Sequence, residues 1–187
     1  MNDNFDFPIV WIDLELTGLD INKDMILEIA VIVTDGQLQN RKEGPCLIIN
    51  CSNDILDNMN EWCTTHHKES GLTSKVKESK ISLKEAETMV LNFLKNDCNI
   101  KEGIAIIAGN SIHMDKIFLM KDMPNLNNYL HYRIIDVSSL KSLCQMWYPE
   151  IYKKVPRKKG SHRALDDIKE SIEELEFYRK NIMITNK

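Results

Sequence analysis

Hydrophobic and polar positions divide the chain into a block of strands followed by strands alternating with helices. Ile9-Val-Trp-Ile-Asp-Leu-Glu-Leu16 is apolar and rich in β-branched residues, the pattern of a strand. Its polar exceptions, Asp13 and Glu15, are two residues apart, so their carboxylates leave one face while Val10, Ile12, Leu14 and Leu16 leave the other. After a polar turn over Asp20 to Asp24, the stretch Met25 to Thr34 predicts a second strand, closed by the hairpin signal Asp35-Gly36. Gly44-Pro45 predicts the opening of a third, Cys46 to Asn50. The short turns make these three an antiparallel meander. Glu28 interrupts the second strand, as an exposed edge residue or as part of a polar cluster.

A helix is expected over Asp57 to Lys68, carrying Trp62 and the pair His66-His67 and breaking at Ser70-Gly71. Ser82-x-x-Glu85 is a capping box. It opens a helix with a one-sided stripe of Leu83, Ala86, Val90, Phe93 and Leu94. Ile104 to Ala108 reads as a short buried strand ending at Gly109-Asn110-Ser111. A helix from His113 to Lys121 follows, with Asp115 near its start. Arg133 to Val137 predicts another strand, then a helix through Leu140, Leu143 and Trp147. Trp11 and Trp147 are expected in the core. Pro149 to Ser161 is irregular and basic, with Lys153, Lys154, Arg157, Lys158 and Lys159. It is either a solvated loop or a lid that draws in phosphate. His162-Arg-Ala-Leu-Asp-Asp-Ile168 enters a terminal helix striped by Leu165, Ile168, Ile172 and Leu175. This order predicts one α/β domain over 1–187, core about 8–181, with a mixed sheet, antiparallel first and parallel after the crossovers.

Composition narrows the function classes. The 187 residues suffice for one domain with its own core, and 43% hydrophobic with 28% charged residues is ordinary globular usage. No apolar run approaches the ~20 residues of a membrane span, so no membrane partner is expected. The first seven residues are acidic and match neither a signal peptide nor an Arg-rich transit peptide. The five cysteines are scattered, without a C-x-x-C pair, which fits reduced thiols and argues against zinc. The expected location is intracellular, the cytoplasm first and a mitochondrial pool second. A net charge of −4 argues against bulk polyanion binding but leaves room for a short anion held locally.

The acids then carry the chemistry. Asp13 and Glu15 in an apolar strand repel each other and lose hydration unless a cation lies between them. The plain alternative is an edge strand with a wet acidic face. In α/β sheets chemistry collects at strand ends and the helix starts beside them. Asp115, His162 and Asp167 all stand at such places, with Asp166 a neighbouring competitor for the role of Asp167. Four converging carboxylates fit two divalent ions, Mg²⁺ or Mn²⁺, in the arrangement used for phosphoryl displacement. His162 then suits a general base, because imidazole titrates near neutral pH. Taken singly, each residue also has an ordinary reading: a helix-start acid, a surface histidine, a core tryptophan or, for His66, a solvated helix face.

The ordered set Asp13-x-Glu15, Asp115 and His162-x4-Asp167 resembles the DEDD exonuclease superfamily in its His-containing branch. The blocks WIDLELTGLD, EWCTTHHKESGL, GNSIHMDKIFL, HYRIIDVSSLK and SHRALDDIKESIEELEFYR resemble the oligoribonucleases, from about Trp11 to Arg179. The resemblance implies an RNase H-like fold, a five-stranded mixed sheet flanked by helices. It implies 3′→5′ hydrolysis of very short RNA, dinucleotides especially, to 5′-mononucleotides. By it, Asp13, Glu15, Asp115 and Asp167 hold the two metals and His162 is the base. Leu19 matches an apolar wedge between two bases, and Trp62 a residue stacking on the 5′ base. His67, Ser111, Arg133 and Ser138 match positions that cap a 5′ phosphate. Tyr132 and Arg133 match residues reaching the neighbouring protomer's site, which implies a homodimer. His113-Met114 departs from the smaller or polar residues of many relatives. The rival readings are an exonuclease of DNA 3′ ends or longer RNA, and a silent RNA-binding module that would need a broken acid set.

Overall fold

The computed structural model describes residues 5–156 and 163–183. His162 and the Arg157, Lys158 and Lys159 part of the basic run lie outside the described residues.

Three strands form first: β1 (Ile9–Leu16), β2 (Ile26–Thr34) and β3 (Arg41–Ile48). Four helices follow, α1 (Asn53–Asp57), α2 (Glu61–Glu69), α3 (Leu72–Glu78) and α4 (Leu83–Asn92), the last running into a π-turn over Phe93–Asp97. Next come β4 (Ile106–Gly109), α5 (Ile112–Asp122), α6 (Pro124–Tyr129), β5 (Ile134–Asp136), α7 (Val137–Trp147), α8 (Pro149–Tyr152) and α9 (Ala164–Ile182). The five strands form one sheet in the order β3-β2-β1-β4-β5. β3, β2 and β1 pair antiparallel, whereas β1, β4 and β5 pair parallel, the mixed sheet expected.

β1 is the middle strand, so its alternating side chains enter two cores. Val10, Ile12 and Leu14 pack with Ala86, Val90, Phe118 and Leu119 of α4 and α5. Trp11 packs with Val137, Ile168, Ile172 and Tyr178 of α7 and α9. By the strand's period Asp13 and Glu15 fall on the Trp11 side, facing the helix that carries Asp167. The wet-edge reading of the acid pair is thereby excluded.

Several element boundaries differ from expectation. β3 begins at Arg41, not Cys46, and Gly44-Pro45 lies inside it. The register slips there, between Ala30 and Ile32 of β2. An edge strand tolerates a proline that donates no ladder bond, and a Cβ on Gly44 would lie 2.4 Å from the Phe93 ring. The helix expected from Asp57 starts instead at Glu61, where Asn60 accepts the Cys63 N–H at 2.9 Å and so sets its N-terminus. The Ser82–Glu85 capping box is formed as expected. The irregular region after Pro149 contains the short α8. Trp147 is not core: it is 65% exposed at the end of α7. Among the described residues no helix is long and apolar enough to cross a membrane.

Candidate active site

The site grows from a mismatch of strand lengths. The parallel ladder between β1 and β4 runs only from Ile9↔Ile106 to Trp11↔Ala108, so β1 continues past its neighbour. Gly109 ends β4 close against β1: a Cβ there would meet the Ile12 carbonyl oxygen at 3.0 Å. Beyond this point Asp115 of α5 replaces the ladder, its Oδ1 accepting the Leu14 N–H at 3.0 Å. On the other side of β1, Glu15 sits opposite Glu28 and the register shifts immediately after it. A bulge of this kind bends a strand and re-aims its side chains beside a functional site.

Asp13, Glu15 and Asp167 each offer a carboxylate oxygen, and these atoms lie within 4.8 Å of one another. Asp167 is brought there by the first turn of α9, where its N–H and that of Asp166 both go to the Arg163 carbonyl. Asp167, not Asp166, belongs to the cluster. The crowding is electrostatically costly. Burial raises the Glu15 carboxyl to about 8, and the charges of Asp167, Glu28 and Asp115 add to the shift while Arg163 opposes it. Burial also raises Asp115, against the hydrogen bonds it accepts from its own amide and that of Leu14, with the Asp136 charge adding to the rise. Buried carboxylates that resist ionisation are the donor set a hard divalent cation relieves.

Two residues support the site: Glu28, whose place the sequence leaves open between an edge and a polar cluster, and Arg163, which the sequence does not single out. Glu28 is fully buried and forms a two-point pair with Arg163, Nη2 to Oε1 at 2.8 Å and Nε to Oε2 at 3.2 Å. It is the polar cluster, not the exposed edge. Arg163 is the residue next in sequence to His162. The only available signal was a charge inside an otherwise apolar strand.

The other sequence-predicted residues among the described ones fall into four groups. Leu19 (69% exposed) and Trp62 (56% exposed) present apolar surface to solvent. His66, read as part of a solvated face, stacks on Trp62 with ring centroids 4.0 Å apart. His67 is buried; its Nε2 donates to the Leu16 carbonyl at 2.8 Å, and its Nδ1 lies 3.8 Å from Glu15 Oε2. It braces the end of β1 against α2. Ser111 and Ser138 are brought together, hydroxyl to hydroxyl at 3.2 Å. Ser111 holds a left-handed backbone (φ 52°), and its N–H points to both Asp136 Oδ1 and Ser138 Oγ at 3.0 Å. Asn110 ties this pair to α9 through Ser171 and the buried Glu174. Tyr132 and Arg133 precede the edge strand β5, exposed and joined by an Arg133 Nε to Tyr132 hydroxyl bond of 3.2 Å.

The RNase_T family of exonucleases matches residues 10–175. A mitochondrial oligoribonuclease of Homo sapiens is 55% identical over 174 residues, covering 93% of this chain and 73% of that protein. An oligoribonuclease of Hydrogenovibrio crunogenus is 49% identical over 176 residues, covering 94% of each. Among solved structures, a zinc-bound Escherichia coli exonuclease I in complex with single-stranded DNA superimposes with a TM-score of 0.70 at 13% identity, covering 95% of this chain and 41% of that one. Exonuclease I of Methylocaldum szegediense gives 0.68 at 19% identity, covering 94% and 41%. The chain spans about two fifths of those exonuclease I chains, and at these identities the likeness is one of fold.

Proposed function

The chain belongs to the oligoribonucleases within the RNase_T exonuclease family, and from that premise we propose a metal-dependent 3′→5′ exoribonuclease that hydrolyses very short RNA, dinucleotides above all, to 5′-mononucleotides. Its fold is the RNase H-like fold of DEDD exonucleases. The carrying observation is the carboxylate cluster of Asp13, Glu15 and Asp167 within 4.8 Å, with Asp115 anchored on the amide between the first two.

Asp13, Glu15, Asp115 and Asp167 would hold two divalent ions, and an oxygen-only donor set favours Mg²⁺ or Mn²⁺. When bound, such ions supply charge stabilisation to the phosphoryl group under attack. The chain's own residues do the rest. His162 takes the proton of the attacking water on an imidazole nitrogen. Leu19 enters between the two bases, and Trp62 stacks on the 5′ base. His67, Ser111, Arg133 and Ser138 receive the 5′ phosphate. Tyr132 and Arg133 act on the neighbouring protomer's site in a homodimer. A capped 5′ phosphate closes the groove after about two nucleotides. That explains how a chain of net charge −4 handles a polyanion, since little charge is contacted. No disulfide joins the five cysteines, which suits a reducing compartment, the cytoplasm first and a mitochondrial pool second.

The test is turnover of 5′-phosphorylated RNA of two to ten residues, with and without EDTA. The rate constant should be greatest for the dinucleotide, fall with length, vanish in EDTA and vanish in Asp13→Ala. Equal cleavage at all lengths would overturn the short-RNA reading. An unchanged rate in His162→Ala would overturn the general base.

A further inference from the structure

An exposed leucine that must enter between two bases needs something to hold it in place. Leu19 stands exposed in the loop joining β1 to β2, and the loop closes on one carboxylate. Asp24 Oδ1 accepts the Thr17 hydroxyl proton at 2.8 Å, and Asp24 Oδ2 accepts the Asp20 N–H at 2.8 Å. The two bonds straddle Leu19 in sequence. The Thr17 hydroxyl in turn accepts the Met25 N–H at 3.1 Å, which directs its own proton to Asp24. Thr17 N–H to Met25 carbonyl (3.0 Å) and Asp24 N–H to Asp20 carbonyl (2.8 Å) complete the ring of bonds.

Two further contacts set the loop against the site. A Cβ built on Gly18 would lie 2.4 to 2.8 Å from Oδ2, Cγ and Oδ1 of Asp24, so the backbone beside Leu19 rests directly on the carboxylate. Only glycine permits that approach. From α5, the helix that carries Asp115, Lys121 Nζ donates to the Asp24 carbonyl. The base of the loop is held as well, because the Leu16 carbonyl is bonded by His67.

We propose that Asp24 is a positioning residue for the reaction: its carboxylate latches the Thr17–Met25 loop so that Leu19 stands preformed as the separator of the two bases. This rests on the proposed role of Leu19 as that separator. A loop already ordered loses little freedom when substrate enters, whereas an unlatched loop must be ordered at the expense of affinity.

The experiment measures kcat and KM on two substrates. One is a 5′-phosphorylated diribonucleotide. The other is the p-nitrophenyl ester of uridine 5′-phosphate, which has one base and nothing to separate. Asp24→Ala and Gly18→Ala should each raise KM for the dinucleotide by about tenfold, with kcat within about twofold and the ester unaffected. Leu19→Ala should also raise KM for the dinucleotide, and Leu19→Ala/Asp24→Ala should be no worse than Leu19→Ala alone. Where Asp24→Ala fails to fold by circular dichroism, Asp24→Asn, which keeps the shape and one acceptor, decides together with Gly18→Ala. An Asp24 effect that adds fully to that of Leu19→Ala, or that moves both substrates alike, overturns the latch. A Leu19→Ala defect with no Asp24 or Gly18 defect overturns the latch and spares the separator. No Leu19→Ala defect overturns both.

Discussion

The Leu14 amide donates to Asp115 Oδ1 at 3.0 Å, joining residues 101 positions apart. The bond takes the place of a sheet bond that β4 is too short to supply, and it sets a third acid beside Asp13 and Glu15. The geometry of the proposed site is thus built into the end of the sheet ladder.

Asp115→Asn separates charge from structure at this point. Asparagine keeps an oxygen for the Leu14 N–H but cannot supply an anion. Turnover of a dinucleotide should fall by about 10³-fold or more, the scale of losing a group that stabilises transition-state charge. The metal-free protein should unfold at a temperature no lower than the parent. Asp115→Ala leaves a buried N–H unpaired and should lose about 1–3 kcal/mol in urea titration. Equal stability of the two variants would contradict the bond's structural role.

The pH dependence follows from Glu15. Burial first, then neighbouring carboxylates, raise its carboxyl from 4.5 to about 8 in the folded chain. The native state therefore keeps a proton that the unfolded chain has released, and stability falls as pH rises between those two values. In EDTA, the melting temperature should drop from pH 5 to pH 8 by on the order of 5 °C. Added Mn²⁺ should raise it more at pH 8 than at pH 5, and Glu15→Gln should flatten the slope. Scanning calorimetry checks this, and a flat parent profile in EDTA would refute it.

Arg163 and Glu28 form a pair in which the carboxylate is fully buried and the guanidinium about one quarter exposed. Arg163→Met strands a buried charge and should cost about 3 kcal/mol. Glu28→Met/Arg163→Met removes both charges and should recover most of that loss by urea unfolding. A double variant as unstable as Arg163→Met would show that the pair is not the cause.

The proposed homodimer predicts rescue by mixing. Asp13→Ala and Arg133→Ala proteins, each inactive on the dinucleotide, should regain about a quarter of parent activity when unfolded together and refolded one to one. Half the dimers would then be mixed, each with one intact site built across a two-fold interface. No rescue, with a dimer present by sedimentation, would mean that Arg133 serves its own protomer.

Much of the molecule is legible in the sequence because much of it is local physics. The alternation of Ile9 to Leu16, the Ser82–Glu85 capping box and the stripe ending in Ile172 and Leu175 each depend on residues within a few positions of one another. So does the pairing of Asp13 with Glu15 on one face, which the strand's period alone dictates. Asp115 and Asp167 follow from their places at element starts and from family resemblance, not from any local pattern. What tertiary structure alone decided was long-range partnership. Glu28 could be an edge charge until Arg163, 135 positions away, closes on it. Trp147 carries every mark of core, yet α7 ends with it outside the packed layer. Gly44-Pro45 looks like a strand opening until β2 and Phe93 determine what the chain may do there. Sequence period specifies which face a side chain takes, whereas the occupant of the space opposite is chosen by the packing of elements far away in the chain.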